Sequence, residues 1–393
     1  LTEGEANTAA AQEFSLDDII SGSDGNTTYW FSSGSHDDGD SISYHEGIAG
    51  VISTGITKFA APFFGGADGV DIRYINPFSN ARLGTGDGDN YPRYSVNQAI
   101  QMIKDPEAIR YELASMPGII NSALTDELMN TVTTRGDALA IVDVDGIYRP
   151  TWDTESAAQK ANVNTVITQV ESRNIDTSYA ATYFPTIRMQ GETSTILQAP
   201  PSLAGIGAIA KSEKLSDHPW FAPAGFNRGG ISKLGGASGP SVGGADIQLN
   251  KSQRDDLYRA NINPIATFPS TGDLVIFGQK TLQTSFPSAL DRINVRRLMI
   301  YLKRQIGIIA DTILFDQNVQ VTWNRFKAQA ESVLSSVQAD LGVTEYRIVL
   351  DNTTTTPDLV DRNILYAQIY VKPARAIEFI AIDFIITQSG VEF

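Results

Sequence analysis

The chain of 393 residues contains no cysteine. Disulfides, thiolate metal sites and cysteine nucleophiles are therefore excluded from its chemistry. Histidine is almost as scarce, with His36, His45 and His218 making up the whole supply. No apolar run approaches the roughly 20 residues that a membrane-spanning helix needs, so direct membrane insertion is not expected, and no segment reads as a signal peptide. Basic residues are missing from the first 50 positions, which hold ten acids and no Lys or Arg. The chain starts at Leu1 without a Met, inside acidic, turn-rich sequence, and reads as a processed or partial chain.

What is present is unevenly spread. Residues 1–250 carry 15 Lys and Arg against 30 Asp and Glu, whereas residues 251–393 carry 15 of each. Within the second part, residues 251–327 hold 11 basic against 6 acidic side chains. Two electrostatically different surfaces are expected. A formal charge of −15 makes the whole protein a poor candidate for nucleic acid, because phosphate contacts need a strongly basic face.

Three regions differ in pattern. Residues 1–90 are rich in Gly, Ser, Asp and Asn, with short apolar strings such as Thr28-Tyr29-Trp30-Phe31, and read as short strands joined by turns. Residues 91–250 alternate helix and strand. Helices are expected over 96–104, 122–133 (with Ser122 as N-cap), 154–172 and 202–215. Strands are expected over 108–113, 137–144 and 179–189. Such alternation predicts an open, mostly parallel α/β sheet. Eight glycines between 217 and 250 mark a loop or linker. Residues 251–393 read as α+β, with helices over 288–313 and 323–341, the second stopped by Gly342. Strands are expected over 274–277, 346–350, 365–372 (ended by Pro373) and 376–387. The sequence thus predicts a multidomain α/β and α+β protein: a β- and loop-rich region over 1–90, an α/β domain over 91–250 and a C-terminal α+β domain over 251–393.

No catalytic constellation emerges. Gly235-Gly236-Ala237-Ser238-Gly239 and Gly243-Gly244 lack the Gly-Lys-Ser/Thr ending of a P-loop and do not open a helix after a strand. Asp143 and Asp145, at the end of a buried strand, offer a metal- or nucleotide-dependent enzyme as the alternative function, although Asp145-Gly146 is also an ordinary turn. Asp87, Asp89 and Asn90 fall short of a calcium loop. His36 beside Asp37, Asp38 and Asp40 reads as a solvated acidic loop. No Gly-x-Ser-x-Gly elbow is present. No cofactor or metal is implied.

Two dense stretches remain. One is Gln253-Arg254-Asp255-Asp256-Leu257-Tyr258. The other is Asp291-Arg292-Ile293-Asn294-Val295-Arg296-Arg297-Leu298, followed by Lys303 and Arg304. Arg292, Arg296, Arg297, Lys303 and Arg304 read as a positive helix face opposite an apolar stripe of Leu298, Leu302, Ile306, Ile309 and Ile313. Charge pattern alone favours solvated helix surface and intramolecular salt bridges for these five.

From about residue 200 the sequence resembles the contractile tail sheath proteins of T4-like bacteriophages. The resemblance rests on those two stretches and on Pro200-Pro201-Ser202-Leu203-Ala204-Gly205, Ala222-Pro223-Ala224-Gly225-Phe226-Asn227-Arg228-Gly229, Phe315-Asp316-Gln317-Asn318, Asp361-Arg362-Asn363 and Lys372-Pro373-Ala374-Arg375-Ala376-Ile377. It implies a non-enzymatic structural subunit of the virion, assembled in the host cytoplasm. Such a subunit polymerises with itself as a helical sleeve around the tail tube protein, between baseplate and tail terminator proteins, and contracts to drive the tube through the host envelope. It further implies that residues 251–393 form the inner assembly domain and that Arg292, Arg296, Arg297, Lys303 and Arg304 face the tube.

The last apolar stretch carries Ile377, Phe379, Ile380, Ile382, Phe384 and Ile386. It either joins a neighbouring subunit's sheet or completes the chain's own. The family's N-terminal arm has no match around Leu1.

Overall fold

A computed structural model describes residues 76–84, 90–144, 163–190, 196–232, 241–268, 272–285 and 288–378, together with the backbone of three earlier strands. Contacts divide the chain into two compact units, Leu1–Gln98 and Ala99–Phe393. In the first, β1 (Ile19–Ser23) lies between β2 (Thr27–Phe31) and β3 (Ser41–Ile42) and is antiparallel to both. The string Thr28-Tyr29-Trp30-Phe31 forms most of β2.

The second unit is organised by a five-stranded sheet. It consists of β4 (Leu113–Ser115), β5 (Leu139–Ile141), β6 (Ala180–Phe184), β10 (Ile262–Thr267) and β11 (Leu274–Ile276), in the order β11-β10-β6-β5-β4. All pairings are parallel except β10 with β11. The mostly parallel sheet expected from the alternation is therefore present, with strands from both sides of residue 250. Every residue of β5 and β6 is buried, as parallel strands covered on both faces require. Each fully buried Leu or Ile there contributes about 1.5–3 kcal/mol of apolar burial.

A second sheet joins β7 (Ile187–Gln190), β8 (Ile196–Ala199) and β9 (Val242–Ala245). The stretch read as linker over 217–250 thus supplies a paired strand. Gly243 and Gly244 lie within β9 and open no helix, while the glycines at 235, 236 and 239 lie outside the described residues.

Helix α1 (Ser122–Arg135) is capped one residue earlier than expected: Asn121 Oδ1 accepts from Leu124 N at 3.2 Å. Gly136, at φ +66, ends it in the left-handed conformation that glycine adopts without strain. Helix α2 (Val163–Ser172) buries Val163, Val166 and Val170. Helix α3 (Pro201–Ser216) runs through Gly205 because that position lies against the Tyr183 ring. Helix α4 (Lys251–Arg259) starts with a reciprocal capping box between Asn250 and Gln253.

The expected helix over 288–313 is broken. Ser288 caps a 3₁₀ turn at Ala289–Asp291, Arg292 is extended at φ −116 and ψ 136, and helix α5 then runs Ile293–Ile313. The reason is a neighbouring backbone. Thr281 N donates to Asp291 O at 3.0 Å and Ile293 N to Gln279 O at 2.8 Å, so Arg292 sits in a bridge opposite Lys280. Two sheet-like hydrogen bonds with good geometry outweigh the continuation of one helical turn.

Helix α6 (Gln320–Ala339) packs on α5 with Trp323, Phe326, Ala330, Leu334 and Val337 inward. Beyond it, Gly342 N donates to Val337 O at 2.8 Å, and a β-carbon at Gly342 would lie 2.6 Å from Val337 Cγ1. The expected glycine stop is thus enforced by close approach. The hairpin of β12 (Val343–Val349) and β13 (Gln368–Pro373) then adds Val343 and Ile348 to the same core as Leu298, Leu302 and Trp220. Residues 376–378 are not in a strand, and the rest of the expected strand over 376–387 lies outside the described residues. Among the described residues, no helix is long and apolar enough to cross a membrane.

Candidate functional site

Helix α5 and the extended residue before it present the five basic side chains singled out by charge. The fold buries two of them and gives each of the five a partner within the chain. Arg296 and Arg297 are 7% and 4% exposed, which corrects the expectation of a solvent-facing positive surface at these positions. Arg296 stacks its guanidinium 3.9 Å over the Tyr179 ring and donates to Ser178 Oγ. Arg297 donates to Glu213 Oε2 at 2.7 Å and to Pro219 O at 3.3 Å. Lys303 is exposed, but its ammonium donates to Arg135 O at 3.1 Å. Arg304 donates to Glu112 Oε1 and, at 3.1 Å, to Tyr111 O.

The partners of these four lie between residues 111 and 219, in the acidic part of the sequence. The charge segregation along the chain is therefore partly resolved within it, through charge-assisted hydrogen bonds that fasten α5 to the central sheet and its helices.

The fifth, Arg292, points elsewhere. Its Nε and Nη2 donate to the two carboxylate oxygens of Glu378 at 2.6 and 3.0 Å, a bidentate pair, and its Nη1 lies 2.8 Å from Asp291 Oδ2. Glu378 also accepts from Tyr258 Oη at 2.8 Å and from Gln279 Nε2 at 3.3 Å. Burial alone would raise the Glu378 pKa. The hydrogen bonds from Arg292 and Tyr258 and the Arg292 charge outweigh it and hold the carboxyl below its ordinary range. Burial and the adjacent Glu378 push the Tyr258 phenol up. Lys280 completes the surroundings, 4.5 Å over the Tyr258 ring and donating to Tyr258 O at 2.6 Å.

Sequence reasoning did not single out Glu378, Tyr258 or Gln279 as members of one site. Tyr258 and Arg292 belong to the two dense stretches, but no local pattern marks Glu378, which follows Ile377 directly. Of the apolar residues named for the last stretch, Ile377 is 83% exposed. Phe379, Ile380, Ile382, Phe384 and Ile386 lie outside the described residues.

Asp143 is 1% exposed, and its carboxylate is taken up by three donors. Ser202 N and Oγ lie at 3.1 and 2.7 Å, and Gly118 N at 2.9 Å. Burial pushes its pKa up to about 6, opposed by those hydrogen bonds. It anchors the first turn of α3, where an acid is favoured by the unpaired amides. Asp145 lies outside the described residues, and among the described residues no three His, Cys, Asp or Glu side chains gather as metal ligands would. His218 stacks on Trp220 at 4.5 Å.

Residues 285–387 match the family model of the phage tail sheath C-terminal domain. Over part of its length the chain is similar to phage tail sheath proteins. The tail sheath protein of Vibrio phage KVP40 is 39% identical over 187 residues, covering 48% of this chain and 26% of that protein. That of Enterobacteria phage T4 is 38% identical over 187 residues, covering 48% of this chain and 27% of that protein. The chain thus spans only about a quarter of the length of these two relatives.

Solved structures share the mixed α/β architecture. The helical sheath of the anti-feeding prophage in its contracted state is 18% identical, with a TM-score of 0.55 over 79% of this chain and 81% of that one. The sheath complex of an extracellular contractile injection system, PVC, also contracted, is 21% identical, with a TM-score of 0.56 over 73% of this chain and 74% of that one.

Proposed function

We propose that this chain is a structural subunit of a contractile phage tail sheath. It polymerises with itself as a helical sleeve around a tail tube, meets baseplate and terminator proteins at the ends, and contracts to drive the tube through the host envelope. Its place is then the virion tail, after assembly in the host cytoplasm. The observation that carries the reading is the sheath C-terminal domain over 285–387, backed by relatives at 38–39% identity.

The physical chemistry supports it. Head-to-tail contacts that do not close generate a helical sleeve. An acidic protein also stays soluble in a crowded polymer. The four cationic anchors of α5 make the central sheet and the C-terminal helices one body, so work comes from copies changing their mutual packing. The reading is of a structural rather than a catalytic role, and Asp143, the carboxylate buried at the α/β sheet among the described residues, serves as a helix anchor. Of the five basic residues offered to the tube, Lys303 is the exposed one and carries what remains of that contact. The stretch after Glu378 joins neighbouring copies by strand addition, in which main-chain hydrogen bonds supply the affinity.

The test is electron microscopy of the purified full-length chain, alone and with a tail tube protein. Helical tubes of sheath width support the reading. A chain that stays monomeric at every concentration, in the presence and absence of tubes, overturns it.

A further inference from the structure

Three segments far apart in sequence converge on one carboxylate. Tyr258 comes from the end of α4, Gln279 and Arg292 from the paired backbones beside the start of α5, and Glu378 from the chain after β13. The sequence separations are 120, 99 and 86 residues. After Pro373 the chain leaves the β12–β13 ladder with one last backbone bond, from Ala374 N to Gly342 O at 3.0 Å, and Ala376 and Ile377 are exposed. Glu378 is the next point of attachment. It receives four hydrogen bonds, two of them from a bidentate guanidinium, the geometry in which a carboxylate is held most strongly and in a fixed orientation.

The donors are themselves fixed. Arg292 is locked by the bridge to Lys280, and the Tyr258 ring lies under the Lys280 ammonium and beside Arg292.

We propose that Tyr258, Gln279 and Arg292 form a clasp for the Glu378 side chain, and that this clasp is the mechanical root of the C-terminal stretch. It fixes the point and direction in which the chain leaves the body, and it delivers pull on that stretch to α4 and the start of α5 instead of peeling β13 from β12. The mechanical part rests on the reading that residues after 378 join neighbouring copies. The existence of the clasp does not. Glu378 is a positioning residue, acting through the segment that follows it.

The clasp is tested on the unassembled full-length chain by the initial rate of tryptic cleavage after Arg375, which is exposed and lies three residues before Glu378. Glu378→Ala is expected to speed that cleavage at least tenfold, with the urea unfolding midpoint of the body nearly unchanged. Tyr258→Phe, which removes one hydroxyl and keeps the packing, is expected to speed it severalfold. The exchanged pair Arg292→Glu with Glu378→Arg is expected to recover part of the resistance that either single change loses. Unchanged cleavage after Arg375 in both Glu378→Ala and Tyr258→Phe overturns the proposal. If Glu378→Ala becomes cleavable throughout the chain, Tyr258→Phe decides.

Assembly then separates the two readings. If the clasp opens and Glu378→Ala tubes fall apart at lower urea than wild-type tubes, the mechanical role stands. If the clasp opens and the tubes are as robust as wild type, the clasp is present but does not carry load between copies. Absence of wild-type tubes overturns the sheath reading without touching the clasp.

Discussion

Arg297 Nη2 lies 2.7 Å from Glu213 Oε2, joining the first turns of α5 to the last turn of α3 across 84 residues of sequence. The two partners are unequally buried: the side chain of Arg297 is 4% exposed and that of Glu213 43%. Removing the acid leaves a buried cation short of its partner, whereas removing the cation leaves an acid that can reach water. Glu213→Ala is therefore expected to cost about 2 kcal/mol, and Arg297→Met, which keeps the stem packing, about 1 kcal/mol. Urea unfolding midpoints measure both, and equal losses would contradict the asymmetry. Charge reversal at Arg296 or Arg297 is expected to lower the folded fraction before any assembly step is reached.

Glu378 supplies a pH signature. Its folded pKa is depressed, so its contribution is fully present above the unfolded value of about 4.3 and is lost as pH falls through the lower folded value. The stability advantage of wild type over Glu378→Gln should be the same at pH 6 and pH 8 and should shrink below about pH 4.3. An advantage that grows towards acid pH would show that the clasp does not hold the ionised carboxylate.

Asp143 has the opposite sign. Its folded pKa is raised to about 6, so the contribution of the group is greatest below the unfolded value and is lost as pH rises through about 6. Relative to Asp143→Asn, the wild type should lose about 2 kcal/mol between pH 4 and pH 7, following the roughly 1.4 kcal/mol carried by each pKa unit. Denaturant titrations of both proteins across that range measure it, and a flat difference would mean that the carboxyl stays ionised throughout.

Gly205 tests packing against propensity. Ala in place of Gly inside a helix gains about 1 kcal/mol. Here the added carbon would meet Tyr183 Cδ2 at 2.7 Å and Cζ at 2.8 Å, inside a ring that is 1% exposed and cannot retreat. Overpacking of this kind costs about 1–3 kcal/mol, so Gly205→Ala should lower the thermal midpoint. A rise would show that the ring has room to move.

Periodicity made most of the second unit legible. The strand over 137–144, the helix over 323–341 and the strand over 365–372 each reported a local property, and local properties survive folding. The break at Arg292 was illegible because its cause is the backbone of 279–281, which no window around 288–313 contains. The basic cluster was legible only in part for the same reason: its charge pattern favoured intramolecular pairs but could not name them. Five cations on and just before one helix look identical in sequence whether their partners are solvent, another molecule or residues 78 to 193 positions away. Nothing in the pattern around Glu378 distinguishes a clasped carboxylate from an exposed one. Only the convergence of Tyr258, Gln279 and Arg292 does.

The anchors of α5 also bear on how this region could be exchanged between relatives. The match to the sheath family model begins at residue 285, but the partners of Arg296, Arg297, Lys303 and Arg304 are supplied by residues 111–112, 135, 178–179, 213 and 219. A cut at 285 would leave four cations without their counterparts. The unit of inheritance that physics permits is therefore wider than the unit that sequence similarity outlines. A chimera that brings in a foreign segment from 285 onward should fold only if Glu112, Tyr179 and Glu213 travel with it.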